Sequence, residues 1–383
     1  MLLKMIKSLR HELYLRYCRC KPIQRSKILL WADNFKSFGC SPKYIARYLL
    51  KEYPGKYDLV WVFDRERPLP EDFPEEIRVV RYFSMDYLRE ISTAKFIICN
   101  ARTFPWHYFR KRKGQVYIQT WHSSLRLKKV EGDAAEALPQ TYIEAAKADS
   151  EKIDLLLSGC RFSTEIFRRA FWYDGEILEC GTPRCDLFFE EGTAIREKVF
   201  RKYGIDSGAK LALYAPTFRD HKQAQTHGLD FARLRKALEE KFGTPWVVGC
   251  RFHPNVQGGE EGEGAISMTR YPDMQELIMA ADCLITDYSS CMFDMSVAGK
   301  PCFLYAPDLD EYMSRERGLY FDIRALPFPL CRNMEELEKE LASFDTRRYL
   351  KAASDFLKET GSFEDGQAAA RIANAIVRYS EEK

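Results

Sequence analysis

The feature that most constrains this chain is a regular alternation of short apolar runs with helical patterns. "KILLWA", "DLVWVF", "IRVVRY", "KFIICN" and "VYIQTW" follow one another, and helical stretches such as "SPKYIARYLLKEY" and "SMDYLREISTA" lie between several of them. Such alternation predicts βαβ units and parallel sheets. The pattern resumes in "LLLSG" and "EILECG", then in "KLALYAPTF", "WVVGCRFHP", "CLITDYSS" and "PCFLYAP". A polar, charged helix and turn over residues 190–208 separates the two sets. At 383 residues the chain exceeds one ordinary core, so two doubly wound α/β domains are expected, over 26–200 and 201–383. The last helix, about 350–381, is expected to pack across their interface. Open α/β sheets bind ligands at the carboxyl ends of their strands, which places the chemistry in a central cleft.

Strand ends therefore matter. His122 closes "VYIQTW", and His253 closes "WVVGCRF" just before Pro254; the other four histidines sit in the first helix or in loops. Two histidines at strand ends of different domains are candidate functional groups. "ITDYSS" ends a strand at Thr286 and turns through Asp287, Ser289 and Ser290 into a helix, a turn suited to phosphate. "GTPRCD" and "APTFRD" place Arg184 and Arg219 beside aspartates after β runs; each arginine either clamps a phosphate or holds its own loop. Arg126, Lys128 and Lys129 after His122 form either an anion-attracting surface or an ordinary solvated loop. The phosphate-binding signatures G-x-G-x-x-G and G-x-x-x-x-G-K-[ST] do not occur after the first strand, which argues against dinucleotide oxidoreductases and P-loop enzymes. No carboxylate cluster with metal spacing accompanies the histidines, so no tightly bound metal is expected; a loose Mg²⁺ on a diphosphate remains open.

Residues 1–25 read as a basic amphipathic helix: Leu2, Leu3, Ile6, Leu9, Leu13 and Tyr17 recur beside Lys and Arg, with Glu12 the one acid. The stripe packs on the protein's own core or lies on an anionic membrane surface. No apolar run approaches the ~20 residues that span a bilayer. A net charge of +3 gives no reason to expect nucleic acid as a partner, and the twelve cysteines lack any C-x-x-C pair, as expected of reduced core residues.

"RKGQVYIQTWHSSLRLKK", "GTPRCDLFF", "LYAPTFRD", "RFHP" and "ITDYSSCMFDMSVAGKPCFLYAPDLDEYMSRERGLYFD" together resemble the CDP-glycerol glycerophosphotransferases of wall teichoic acid synthesis, in the family's order. The resemblance implies a GT-B-like fold and a peripheral enzyme on the cytoplasmic face of the membrane. It also implies a CDP-glycerol or related CDP-polyol donor and a lipid-linked polyprenyl diphosphate acceptor. By position, His122 matches the family's base and His253 the histidine on the donor diphosphate. Thr217, Arg219, Arg184, Asp287, Ser289 and Ser290 fall in the donor-side motifs, with the nucleotide in the carboxy-terminal domain and the acceptor in the amino-terminal one. Where the family usually reads H-G-T-P, this chain reads His122-Ser123-Ser124-Leu125, which alters the loop beside the acceptor. A CDP-ribitol transferase, a UDP-sugar glycosyltransferase of the same fold and a non-catalytic nucleotide-binding protein are the alternatives. The nucleotide released would separate them.

Overall fold

A computed structural model describes residues 2–217, 228–252, 264–315 and 318–381. The chain forms two compact units, one of residues 1–122, 130–186 and 363–383, the other of 123–129 and 187–362.

The first unit opens with α1 (Leu2–Arg19), β1 (Gln24–Trp31), α2 (Cys40–Glu52), β2 (Asp58–Phe63) and β3 (Arg78–Arg81). It continues through α3 (Met85–Thr93), β4 (Ala94–Cys99), β5 (Val116–Gln119) and α4 (Gln140–Ser150). β6 (Leu155–Ser158), α5 (Arg161–Ala170) and β7 (Glu176–Glu179) complete its first pass. Its seven strands lie in the order β3-β2-β1-β4-β5-β6-β7, and every pairing is parallel. Central strands are apolar on both faces because helices cover both. Ile28 and Leu30 of β1 pack with Ile45 and Leu49 of α2, while the adjacent Lys27 faces the opposite way and meets Glu90 of α3.

The second unit contains α6 (Thr193–Tyr203), β8 (Lys210–Tyr214), α7 (Phe231–Phe242), β9 (Trp246–Cys250) and β10 (Ile266–Ser267). α8 (Met274–Ala280), β11 (Cys283–Thr286), α9 (Cys291–Val297), β12 (Cys302–Tyr305) and α10 (Leu309–Arg315) follow. It ends with β13 (Leu330–Cys331), α11 (Met334–Ser343) and α12 (Thr346–Glu359), after which α13 (Ala368–Glu381) returns to the first unit. The order β10-β9-β8-β11-β12-β13, all parallel, repeats the doubly wound Rossmann pattern.

Three boundaries differ from the sequence expectation. The first unit's main pass stops at Asp186 rather than near residue 200, because α6 packs in the second unit. There Arg196 bonds the Ala280 and Ala209 carbonyls and pairs with Asp282 at 3.0 Å. The expected single terminal helix is two helices, broken where Gly361 takes φ +67°. Its second half, α13, belongs to the first unit and not to the carboxy-terminal one. Ile372 and Ile376 join that unit's core, and the "GTPRCD" motif holds the returning chain. Gly181, at φ +87°, admits the Phe363 carbonyl where a Cβ would come within 3.1 Å. Asp186 accepts from the Ala368 and Ala369 N–H groups at 3.0 and 2.7 Å, capping α13. All twelve cysteines are free thiols, eleven of them buried.

Candidate functional site

Each sheet reverses its strand order at one place, between β1 and β4 in the first unit and between β8 and β11 in the second. Each of those edges carries a side-chain bridge between the two strand ends.

In the first unit, Asp33 follows β1 and Asn100 follows β4. The Asn100 side chain donates to Asp33 Oδ1 at 2.9 Å, and the Asp33 N–H donates back to Asn100 Oδ1 at 2.9 Å. Ser37 Oγ donates to the other Asp33 oxygen at 2.5 Å. His122, exposed just beyond β5, has its Nδ1 3.1 Å from the Asn100 carbonyl oxygen. A carbonyl only accepts, so Nδ1 carries the proton and the neutral ring's lone pair sits on Nε2. Trp121 supports the ring from below, stacked at 4.5 Å and 27°. Its backbone is left-handed, φ +52°, an uncommon state for a bulky residue that is held here by the Gln119 side chain accepting its N–H at 3.0 Å. Under Trp121 lies a buried polar cluster: Arg102 pairs with Glu131 at 3.3 Å and sits 4.9 Å over the Phe171 ring.

Arg184 is 8% exposed and reaches Cys40 Sγ at 3.9 Å, a thiol pushed up by burial. It stands in the first unit rather than among the donor-side motifs of the second. It is not paired with its neighbour Asp186, whose carboxyl burial pushes up to about 6 while it caps α13.

In the second unit, Asp287 is buried and its Oδ1 accepts from the Thr217 N–H at 2.8 Å and from the Tyr288 N–H at 2.6 Å. Thr286 Oγ1 donates to the Ala215 carbonyl at 2.7 Å. Asp287 and Thr217 thus tie the ends of β11 and β8 together. Ser289 and Ser290 are half-buried at the turn. Ser289 Oγ accepts from the Cys291 N–H at 3.4 Å, whereas Ser290, the residue before α9, makes no side-chain cap. "AGKP" has a different task from the turn: the half-buried Lys300 donates to the Ile278, Met279 and Ala281 carbonyls at the end of α8, and burial pushes its ammonium down to about 8. His253 and Arg219 lie outside the described residues, as do His221 and His227.

The segment after His122 departs from expectation. Residues 123–129 belong to the second unit, where Leu127 and Lys129 bond the backbone of Tyr320 and Gly318. Ser123 to Leu127 are buried, so Arg126, at 3% exposure, does not face solvent and bonds the Ser123 carbonyl at 3.3 Å. Lys128 lies 5.0 Å over the Tyr312 ring, which stacks on Tyr288 at 3.5 Å. Lys128 and Lys129 remain half-buried. Asp33, Asn100 and the Trp121 backbone were absent from the sequence reading. The strand-end rule that found His122 applies equally to "KFIICN" and "KILLWADN".

Residues 13–378 match the family model described as CDP-glycerol:poly(glycerophosphate) glycerophosphotransferase. A teichoic acid poly(glycerol phosphate) polymerase of Staphylococcus epidermidis is 33% identical over 89% of this chain, which spans 49% of that protein. The corresponding polymerase of Bacillus spizizenii is 30% identical over 93% of each chain. A teichoic acid glycerol-phosphate transferase of Staphylococcus aureus is 30% identical over 97% of this chain and 98% of its own. Among solved structures, the wall teichoic acid polymerase TagF superposes with a TM-score of 0.83 at 29% identity, covering 100% of this chain and 98% of the TagF chain. A UDP-N-acetylglucosamine 2-epimerase of Listeria monocytogenes, with a TM-score of 0.52 at 14% identity over 95% of this chain and 98% of its own, shares the fold alone.

Proposed function

Because this chain belongs to the CDP-glycerol:poly(glycerophosphate) glycerophosphotransferase family, we propose that it transfers glycerol phosphate from CDP-glycerol to a hydroxyl of a lipid-linked teichoic acid acceptor, releasing CMP. The observation that carries the chemistry is the exposed His122 ring, whose Nδ1 is committed to a carbonyl. The acceptor hydroxyl oxygen attacks the β-phosphorus of the donor. Its proton passes to His122 Nε2, and the bond from the β-phosphorus to the bridging oxygen breaks, with CMP taking that electron pair. The half-buried Ser289 and Ser290 hydroxyls are the second unit's described donors for the diphosphate. His253 and Arg219 complete the reading. A TagF variant soaked with CDPG superposes with a TM-score of 0.82, which supports the donor class.

Incubation with CDP-glycerol, CDP-ribitol and UDP-sugars, each with a lipid-diphosphate acceptor, tests the reading by which nucleotide is released. CMP from CDP-glycerol is expected, and Ser289→Asp should weaken that donor's binding through like charge. UDP release with no CMP would overturn the assignment.

The same reading places the enzyme on an anionic membrane surface. α1 packs inward through His11, Leu15 and Cys18, with the His11 ring 4.2 Å from Phe83. Leu9, Leu13 and Tyr17, four residues apart, face outward at 61, 56 and 58% exposure beside the exposed Arg10 and Arg16. The described part of the stripe, Leu9, Leu13 and Tyr17, is therefore not the face packed on the core, and on this reading it meets the membrane. Among the described residues no helix is long and apolar enough to cross a membrane. Leu9→Ser/Leu13→Ser should cut binding to vesicles containing anionic lipid without unfolding the protein, and salt should weaken the parental protein's binding. Equal vesicle binding by variant and parent would remove α1 from that role.

A further inference from the structure

We propose that Asp33 and Asn100 are positioning residues that fix the tautomer and direction of the His122 ring; this rests on the reading of His122 as proton acceptor. β4 pairs with β1 as far as Trp31↔Cys99 and with β5 as far as Cys99↔Gln119. Asn100 is one residue beyond both ladders, so neither neighbouring strand dictates where its carbonyl points. That carbonyl is nevertheless the group that receives His122 Nδ1–H at 3.1 Å. Its direction is set instead by the side chain of the same residue, locked to Asp33 by two reciprocal bonds of 2.9 Å.

The far side of the clasp is itself held. Asp33, Asn34 and Phe35 have φ of +49, +53 and +70°, three consecutive left-handed residues, a conformation that persists only where its surroundings over-determine it. The surroundings do so. The Phe35 ring stacks on Tyr82 at 4.4 Å, its carbonyl accepts from the Asp64 N–H at 2.8 Å, and Ser37 Oγ holds Asp33 Oδ2 at 2.5 Å. The strained turn after β1 therefore presents a fixed carboxylate to Asn100, Asn100 presents a fixed carbonyl to Nδ1, and the ring presents Nε2. The His122 base is oriented through the switch point of the sheet. Such orienting shells matter because small displacements of a reacting group cost up to ~10²-fold in rate.

The test uses the full-length protein and two substitutions. Asp33→Gly removes the carboxylate while suiting the left-handed backbone, and Asp33 is exposed, so the core is untouched. Asn100→Ala removes both clasp bonds. Asp33→Asn keeps an oxygen to accept from Asn100 and serves as rescue. Nitrogen-15 spectra of histidine-labelled protein, with the His122 signals assigned by subtraction of His122→Gln, report the tautomer directly. The parental ring should read as protonated on Nδ1, with mixed tautomers in Asp33→Gly and more so in Asn100→Ala. Turnover should fall about 10- to 100-fold, in kcat and not in the KM for donor, with Asp33→Asn recovering most of it. Thermal denaturation checks that each variant is folded. An unchanged tautomer and an unchanged kcat in folded Asp33→Gly and Asn100→Ala would overturn the proposal. The nitrogen spectrum needs no substrate, so it decides on the clasp even where CDP-glycerol proves not to be the donor.

Discussion

His122→Ala should lose ~10²–10⁴-fold in turnover, the range of a general base, while calorimetric affinity for CDP-glycerol stays near the parental value. The expectation follows from the ring's position. It is exposed beyond β5, so its removal leaves no cavity, and its contacts include the Nδ1 bond and the stacked Trp121 indole. The serines assigned to the diphosphate stand in the other unit. His122→Gln separates two roles. Glutamine hydrogen-bonds but does not take up a proton near neutral pH, so it should do no better than alanine. A glutamine variant with most of the parental turnover would mean that the residue positions the acceptor hydroxyl, and the proton acceptor would lie elsewhere.

Much of this arrangement is readable from the chain because parallel sheets write a simple signal. Strands covered on both faces are mostly apolar, so the runs within β1, β2, β4, β5, β8, β11 and β12 stand out. The two-residue edge strands β10 and β13 carry no such run. Where the reading went astray, the cause was long-range. "GTPRCD" offers either a phosphate clamp or an Arg184–Asp186 pair that holds its own loop, and its aspartate instead caps a helix from the other end of the chain. Arg126 reads as part of an anion-attracting surface or a solvated loop because a formal charge says nothing about burial; at 3% exposure it is neither. His107 was placed in a loop, yet it is 3% exposed, accepts from the Phe104 N–H at 3.0 Å and is pushed down to about 4 by burial. His122 was legible as a strand-end histidine. Its orientation was not, since Asp33 and Asn100 acquire meaning only once β1 and β4 are known to be neighbours.

Glu90→Leu should destabilise the first unit by about 3–5 kcal/mol, and more than Lys27→Met does. Lys27 of β1 and Glu90 of α3 form a 2.5 Å ion pair with both side chains at 3% exposure or less. The asymmetry comes from what each partner retains. Without Lys27, Glu90 still has Arg78 at 3.4 Å and Arg89 at 3.2 Å, so the loss is that of one contact, about 1–3 kcal/mol. Without Glu90, Arg78 keeps Asp58 at 2.7 Å and Arg89 keeps Asp86 at 3.0 Å, but Lys27 is left with the Thr93 hydroxyl at 3.2 Å. A buried ammonium with one neutral acceptor bears the full desolvation cost. The double variant Lys27→Met/Glu90→Leu should therefore recover most of what Glu90→Leu loses. The pH dependence has a definite sign. Burial works to raise the Glu90 carboxyl, but Lys27 and Arg78 outweigh it and hold it below its ordinary value. The stability this adds is fully present above the unfolded carboxyl's pKa of about 4.3 and is lost as pH falls through the lower folded value. Urea unfolding at pH 7 and across the acid range checks both parts. Equal losses from the two single substitutions, or a double variant no better than Glu90→Leu, would mean that the pair is not what keeps Lys27 inside.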